Sequence, residues 1–180
     1  MRRLIPLLCL VVSCQSAPQD KAKSEPVLRI AMESDVQSID PRQVRDLGSM
    51  TICRMLFEGL VRPGKNPGEL EPGIAERFDV SPDHRVYTFH LRESVWSNGQ
   101  PLTADDFERS WREALRPDFP APNIYQMYPI KGAREAKRGQ IPVEDVAVRS
   151  PDALTLIVEL EEPSPYFLEL LTSQIYFPVS

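Results

Sequence analysis

Histidine, cysteine and glycine are all scarce in this 180-residue chain, at two, three and eight residues. Each shortage closes a route to chemistry. The two histidines, His84 and His90, stand six positions apart, one in a candidate turn and the other in a candidate strand. No cysteine or carboxylate spacing completes a metal-ligand set around them. The glycines form no spaced phosphate-binding loop, and no nucleophile elbow surrounds a serine. The adjacent Asp105 and Asp106 diverge by about 100° on a helix, so they cannot face one another as an acid–base pair. Helix capping accounts for them better. The sequence therefore offers no catalytic constellation, no metal site and no cofactor motif, and it reads as a non-enzyme.

An excess of positive charge is missing too. The chain carries 21 basic and 26 acidic residues, a net of −5. No Lys/Arg-dense stretch is long enough for nucleic acid; the nearest, Arg134 to Arg138, suits a solvated helix face. The N-terminal apolar run, Leu4 to Val12, falls far short of the roughly 20 residues that span a bilayer. It follows Arg2 and Arg3 and leads through Val11, Val12 and Ser13 to Cys14. That pattern fits a cleaved lipoprotein signal over residues 1–13, with the Cys14 thiol taking a diacylglycerol. The plainer reading is an ordinary signal peptide with a chance cysteine. Two or more acyl chains hold a protein stably on a membrane, so the expected place is a lipid anchor on the extracytoplasmic face. Residues 14–26 are polar and unpatterned, a tether reaching about 20 Å. Removing Arg2 and Arg3 leaves 19 basic against 26 acidic residues, a net of about −7. Cys9 departs with the signal and Cys14 is acylated. Cys53 then remains alone, and no internal disulfide is possible.

Proline, by contrast, is abundant at 18 residues, about twice the usual share. It predicts many breaks and ordered loops. Val27 to Ala31 has strand composition. Ser49 is a candidate helix N-cap, followed at helical spacing by Ile52, Met55, Leu56 and Leu60, with Gly59 near the end. Cys53 falls on the apolar face of that helix as a small core residue. Residues 63–72 read as a turn-rich link. Phe78, Val80 and the run Val86 to Leu91 predict a hairpin turning at Ser81 to His84. Thr103 and Asp106 form a capping box before Phe107, Trp111, Ala114 and Leu115. Residues 117–130 read as extended loop, and Ile130 to Arg138 as a helix stopped by Gly139. Val143 to Val148 and Ala153 to Leu160 suggest a second hairpin, turning at Ser150 to Asp152. Ser164 and Pro165 open a helix through Leu171, and the apolar tail Tyr176 to Val179 follows. The spacing of Trp96, Trp111, Tyr87 and Phe89 suits core before cleft. The class is α+β, without βαβ alternation.

Three blocks of this sequence resemble the bacterial extracytoplasmic solute-binding proteins, the oligopeptide-binding lipoproteins of ABC importers. The first runs from Glu33 through Asp40 and Pro41, then into Leu56 to Leu60. The second is Pro72 to Trp111. The third is Leu154 to Phe167, with Glu162, Pro163, Ser164 and Pro165 at its centre. They occur in family order and at family spacing across nearly the whole mature chain.

The resemblance implies the N-terminal portion of a two-lobed periplasmic peptide-binding fold. Residues 27–57 would begin the first lobe. Residues 58–170 would form a small inserted hairpin-and-helix domain, and residues 171–180 a truncated return to the first lobe. It also implies oligopeptides as ligands, held extended by strand-like protein segments, and a membrane permease as partner. Arg45, Asp46 and Leu47 correspond to one such segment. A further family contact is a tyrosine in the loop after the Trp111 helix; here Asn123 stands at that place, with Tyr125 two residues on. The acidic residue that receives a peptide's amino group belongs to the opposite lobe. If nothing completes the first lobe, Val27 to Ala31 and Tyr176 to Val179 are expected to be exposed. The alternative is a short lipoprotein remnant that serves as a protein-interaction module and binds no peptide.

Overall fold

The computed structural model describes residues 27–32 and 35–180. The signal, tether and Cys14 readings lie outside the described residues. Met32 to Ser180 form one compact unit. Residues 27–31 fall outside it and form no strand, contrary to their composition. A five-residue extended segment without a neighbouring strand gains nothing from the geometry, because pairing is what stabilises it. Val27 and Leu28 are exposed, as expected of an uncovered segment.

In chain order the elements are α1 Leu47–Leu56, β1 Val61–Pro63, β2 Leu70–Pro72, β3 Ala75–Val80 and β4 Val86–Leu91. Then follow β5 Ser94–Val95, β6 Pro101–Leu102, α2 Ala104–Ala114, α3 Ala133–Lys137, β7 Val148–Asp152, β8 Thr155–Glu159 and α4 Phe167–Leu170. Four strands make one antiparallel sheet in the order β3-β4-β8-β7. The fold is α+β.

The sheet forms because two of its strands alternate. Tyr87, Phe89 and Leu91 on β4 are buried, while Val86, Thr88 and His90 are half-buried. Leu156 and Val158 of β8 lie opposite Phe89 and Tyr87 on the same face. Helix α2 lays Phe107, Trp111 and Ala114 against the β7–β8 half of that face. It starts at Thr103 with a capping box: the Thr103 backbone N–H donates to the Asp106 carboxylate at 2.9 Å. The same carboxylate accepts from the Trp96 indole at 3.2 Å and from Arg109 at 2.6 Å. Capping, not acid–base work, employs Asp106.

Several elements depart from the sequence reading. Helix α1 is capped by Asp46, whose carboxylate accepts from the Ser49 amide at 2.8 Å. Ser49 is buried, and its hydroxyl accepts from the Gln37 amide at 3.0 Å, so it ties down the preceding segment. The helix ends at Leu56, before Gly59. Gly59 and Gly73 instead mark where two backbones touch. A Cβ at Gly73 would collide with the Gly59 carbonyl, and one at Gly59 would meet the Phe177 ring. Residues 63–72 are not a mere link, since β1 and β2 pair antiparallel. The loop 117–130 contains a 3-10 turn at Ile124–Met127, and α3 is shorter than expected. Residues 143–145 are a 3-10 turn, and the strand lies five residues later, over Val148–Asp152. The last helix shrinks to Phe167–Leu170.

The C-terminal segment is the largest correction. Tyr176 and Phe177 are 1% and 6% exposed, against the expectation of an exposed tail. The Trp111 indole N–H donates to the Tyr176 carbonyl at 2.8 Å, and Ser110 Oγ donates to the Phe177 carbonyl at 3.2 Å. The core of the sheet and helix α2 is large enough to recruit this apolar stretch.

Candidate functional site

The site begins with a turn. The Asp40 carboxylate accepts from the Arg42 backbone amide at 3.0 Å, which bends the chain at buried Pro41. Arg42 then folds back. Its guanidinium donates to both Asp40 oxygens at 3.0 and 2.9 Å and to Glu113 on α2 at 2.5 Å. Its plane also lies 4.6 Å from the centroid of the Phe119 ring. One buried arginine therefore binds residues 40–42 to α2 and to the loop that follows it. Burial opposes charge on Asp40, but the Arg42 hydrogen bonds and charge outweigh it and hold the carboxyl below its ordinary range.

This latch positions the segment singled out by resemblance. Val44 is 2% exposed and fixed in the core side of the turn. The Asn123 side-chain amide donates to the Val44 carbonyl at 3.2 Å. Asn123 and the Arg45 segment, 79 positions apart in the first contact, are thus neighbours. Arg45 is exposed, and among the described residues its backbone N–H and C=O make no hydrogen bond. Asp46 has extended backbone, φ −110° and ψ 154°. The Ser49 amide holds its carboxyl below the ordinary range. Leu47 is already helical, the first residue of α1, and 83% exposed. Tyr125 is not brought to this segment. It lines a separate open cleft of about 710 Å³ with Tyr128, Arg134, Glu161 and Tyr166.

The geometry offers an exposed cation and one residue, Arg45, whose backbone N–H and C=O are both unpaired, between a Val44 carbonyl held by Asn123 and an Asp46 carbonyl that accepts from the Met50 amide at 3.0 Å. Those two groups can hydrogen-bond an extended chain laid along Arg45. Sequence reasoning missed Arg42, Glu113 and Phe119. Pro41 marks a break in the chain there, but Arg42's partners on α2 and beyond are distant in sequence.

Solved structures that superpose on this chain include oligopeptide-binding and murein-tripeptide-binding proteins. The substrate-binding domain of an oligopeptide ABC transporter from Bacillus anthracis superposes with a TM-score of 0.81 at 35% identity, covering 84% of this chain and 29% of that one. The chain belongs to family 5 of the bacterial extracellular solute-binding proteins, whose middle-region profile matches residues 69–180. The oligopeptide-binding protein OppA of Bacillus subtilis is 41% identical over 160 residues, 88% of this chain and 29% of the relative. The periplasmic oligopeptide-binding protein OppA of Escherichia coli is 40% identical over 149 residues, 81% of this chain and 27% of the relative. The chain thus spans 29% and 27% of the length of these two curated relatives. Members of the family are solute-binding proteins, not enzymes.

Proposed function

We propose that this chain supplies one wall of an oligopeptide site in an extracytoplasmic solute-binding protein that delivers its ligand to an ABC importer permease. The observation that carries the reading is the Asn123–Val44 bond, which holds the unpaired Arg45 backbone where an extended ligand can pair with it. Backbone pairing of this kind makes affinity largely independent of ligand side chains. In this reading residues 27–57 and 171–180 belong to a first lobe and residues 58–170 to a small inserted domain. A closed site needs a second wall to exclude water, so affinity for this chain alone is weak. The test is chemical-shift perturbation of the isotope-labelled chain by tri- to pentapeptides. Shifts should concentrate at residues 44–47 and 121–123 and disappear in Asn123→Ala. Shifts confined to the Tyr125–Tyr166 cleft, or none at millimolar peptide, would remove the reading.

Membrane attachment is part of the same proposal. The Leu10 to Cys14 pattern supports acylation of Cys14, which would keep the protein beside its permease. Cells fed labelled palmitate should label the wild-type protein and not Cys14→Ser. Equal label in both would leave the N-terminus as a plain export signal.

A further inference from the structure

The four-stranded sheet has two edges, and they are built differently. The β7 edge contains Pro151, which has no N–H, and an irregularity between Arg149 and Asp152. Both features obstruct pairing with a further strand. The β3 edge has no proline, and its bulge falls at its start, between Ala75 and Arg77. Arg77 to Val80 remain in regular register with β4. Phe78 and Val80 lie on the core face, opposite Phe89 and Tyr87, yet are 38% and 36% exposed. Helix α2 covers the other half of the sheet and does not reach them.

The direction of the free backbone groups follows from the turn. The Ser81 amide donates to the Val86 carbonyl at 2.9 Å. Hydrogen-bonded and non-hydrogen-bonded pairs alternate along an antiparallel ladder. Arg77 and Asp79 therefore aim their backbone groups at β4, while Phe78 and Val80 aim theirs outward.

A second copy of the same strand fits this edge in one register. With a two-fold axis through Phe78, the two Phe78 residues form a mutually hydrogen-bonded pair. Arg77 of each copy then lies opposite Asp79 of the other, at the closer non-hydrogen-bonded positions. Both side chains are solvent-exposed, at 60% and 68%; within one copy they pair with each other at 3.2 Å, and Asp79 also meets His90 at 2.7 Å, surface contacts of little net worth that the pairing between copies exchanges. A slip of two residues either way sets Arg77 against Arg77 or Asp79 against Asp79, which like-charge repulsion disfavours. We propose that β3 is a self-pairing edge, through which two copies of this chain join their sheets about a two-fold axis at Phe78.

The test combines sedimentation velocity of the full chain over a concentration series with a charge exchange. Arg77→Asp and Asp79→Arg each place like charges opposite one another in both pairs, and each should weaken self-association roughly tenfold. The double variant restores opposite charges and should recover it. Paired positions about 5.5 Å apart suit a disulfide. Phe78→Cys, with Cys9→Ser and Cys14→Ser, should therefore oxidise to a covalent dimer. Val80→Cys should not, being several residues from its own copy. A monomer at every concentration, a double variant as weak as the singles, or equal cross-linking at 78 and 80 would overturn the proposal. So would β3 amides that gain exchange protection from added peptide but not from protein concentration, since the edge would then belong to a peptide.

Discussion

Arg42 concentrates more of this structure in one side chain than any residue with a recognisable motif. It is 7% exposed, whereas its partners Asp40 and Glu113 are 26% and 47% exposed. A buried guanidinium is tolerated only when its donors are occupied, and here two carboxylates and an aromatic face occupy them. Arg42→Met retains the bulk and removes the donors. It should lower stability by about 2 kcal/mol at pH 7, less than the roughly 3–5 kcal/mol of a fully buried broken pair because Glu113 is half in solvent. The sign of the pH dependence follows from Asp40, whose carboxyl is held below its ordinary value in the folded chain. The stabilisation is then present above the unfolded carboxylate value of about 4 and fades as pH falls through the lower folded value. Urea titrations at pH 7 and pH 3 should show the gap between wild type and Arg42→Met shrinking at the acid end. A gap of the same size at both would mean that packing on Phe119, not the ion pairs, is what the arginine contributes.

Elements were legible where their own residues decide them and illegible where a distant side chain does. β4 could be read from the alternation of Tyr87, Phe89 and Leu91, because one face is core and the other half-solvated. α2 could be read from its capping box and apolar stripe. β7 could not. Its expected turn residues, Ser150 to Asp152, became strand. Glu108 on α2 accepts from both the Ser150 amide and its hydroxyl, at 2.5 and 2.6 Å, and Arg112 takes the carbonyls of Glu144 and Val148 at 3.0 and 2.9 Å. The helix thus fixes residues 144–150, and the reversal moves on to Ala153 and Leu154. There the Leu154 amide bonds the Asp152 carboxylate at 2.9 Å and the Leu154 carbonyl accepts from Leu91 at 2.7 Å. The choice between Ser49 and Asp46 as cap was settled the same way, since Gln37 claims the Ser49 hydroxyl. The candidate site was legible only through family resemblance. Composition marks neither Arg45 nor Asn123, and the bond that brings Asn123 to Val44 spans 79 positions.

At the scale of the whole molecule, the issue is whether residues 171–177 are an appendage or part of one cooperative core. The structure makes them core. Tyr176 packs edge-on to Trp111 at 5.1 Å between centroids and to Phe167 at 6.3 Å. Its hydroxyl donates to the Gln126 carbonyl at 2.5 Å, and burial pushes that hydroxyl's pKa upward. Gln174 reaches the Met50 carbonyl at 3.3 Å, so the same short segment also holds α1. Residues 174–176 therefore join α1, α2 and the 124–127 turn, three pieces with no strand in common. Tyr176→Ala should cost about 3–5 kcal/mol through the cavity it leaves, and Tyr176→Phe about 1 kcal/mol through the lost hydroxyl bond. If the core is cooperative, hydrogen exchange in Tyr176→Ala will quicken together at Tyr87, Phe89, Leu156 and Val158 on the sheet and at Cys53 on α1. Faster exchange confined to residues 171–177, with sheet amides unchanged, would show that the sheet and α2 fold without this segment and that its burial is a late docking step.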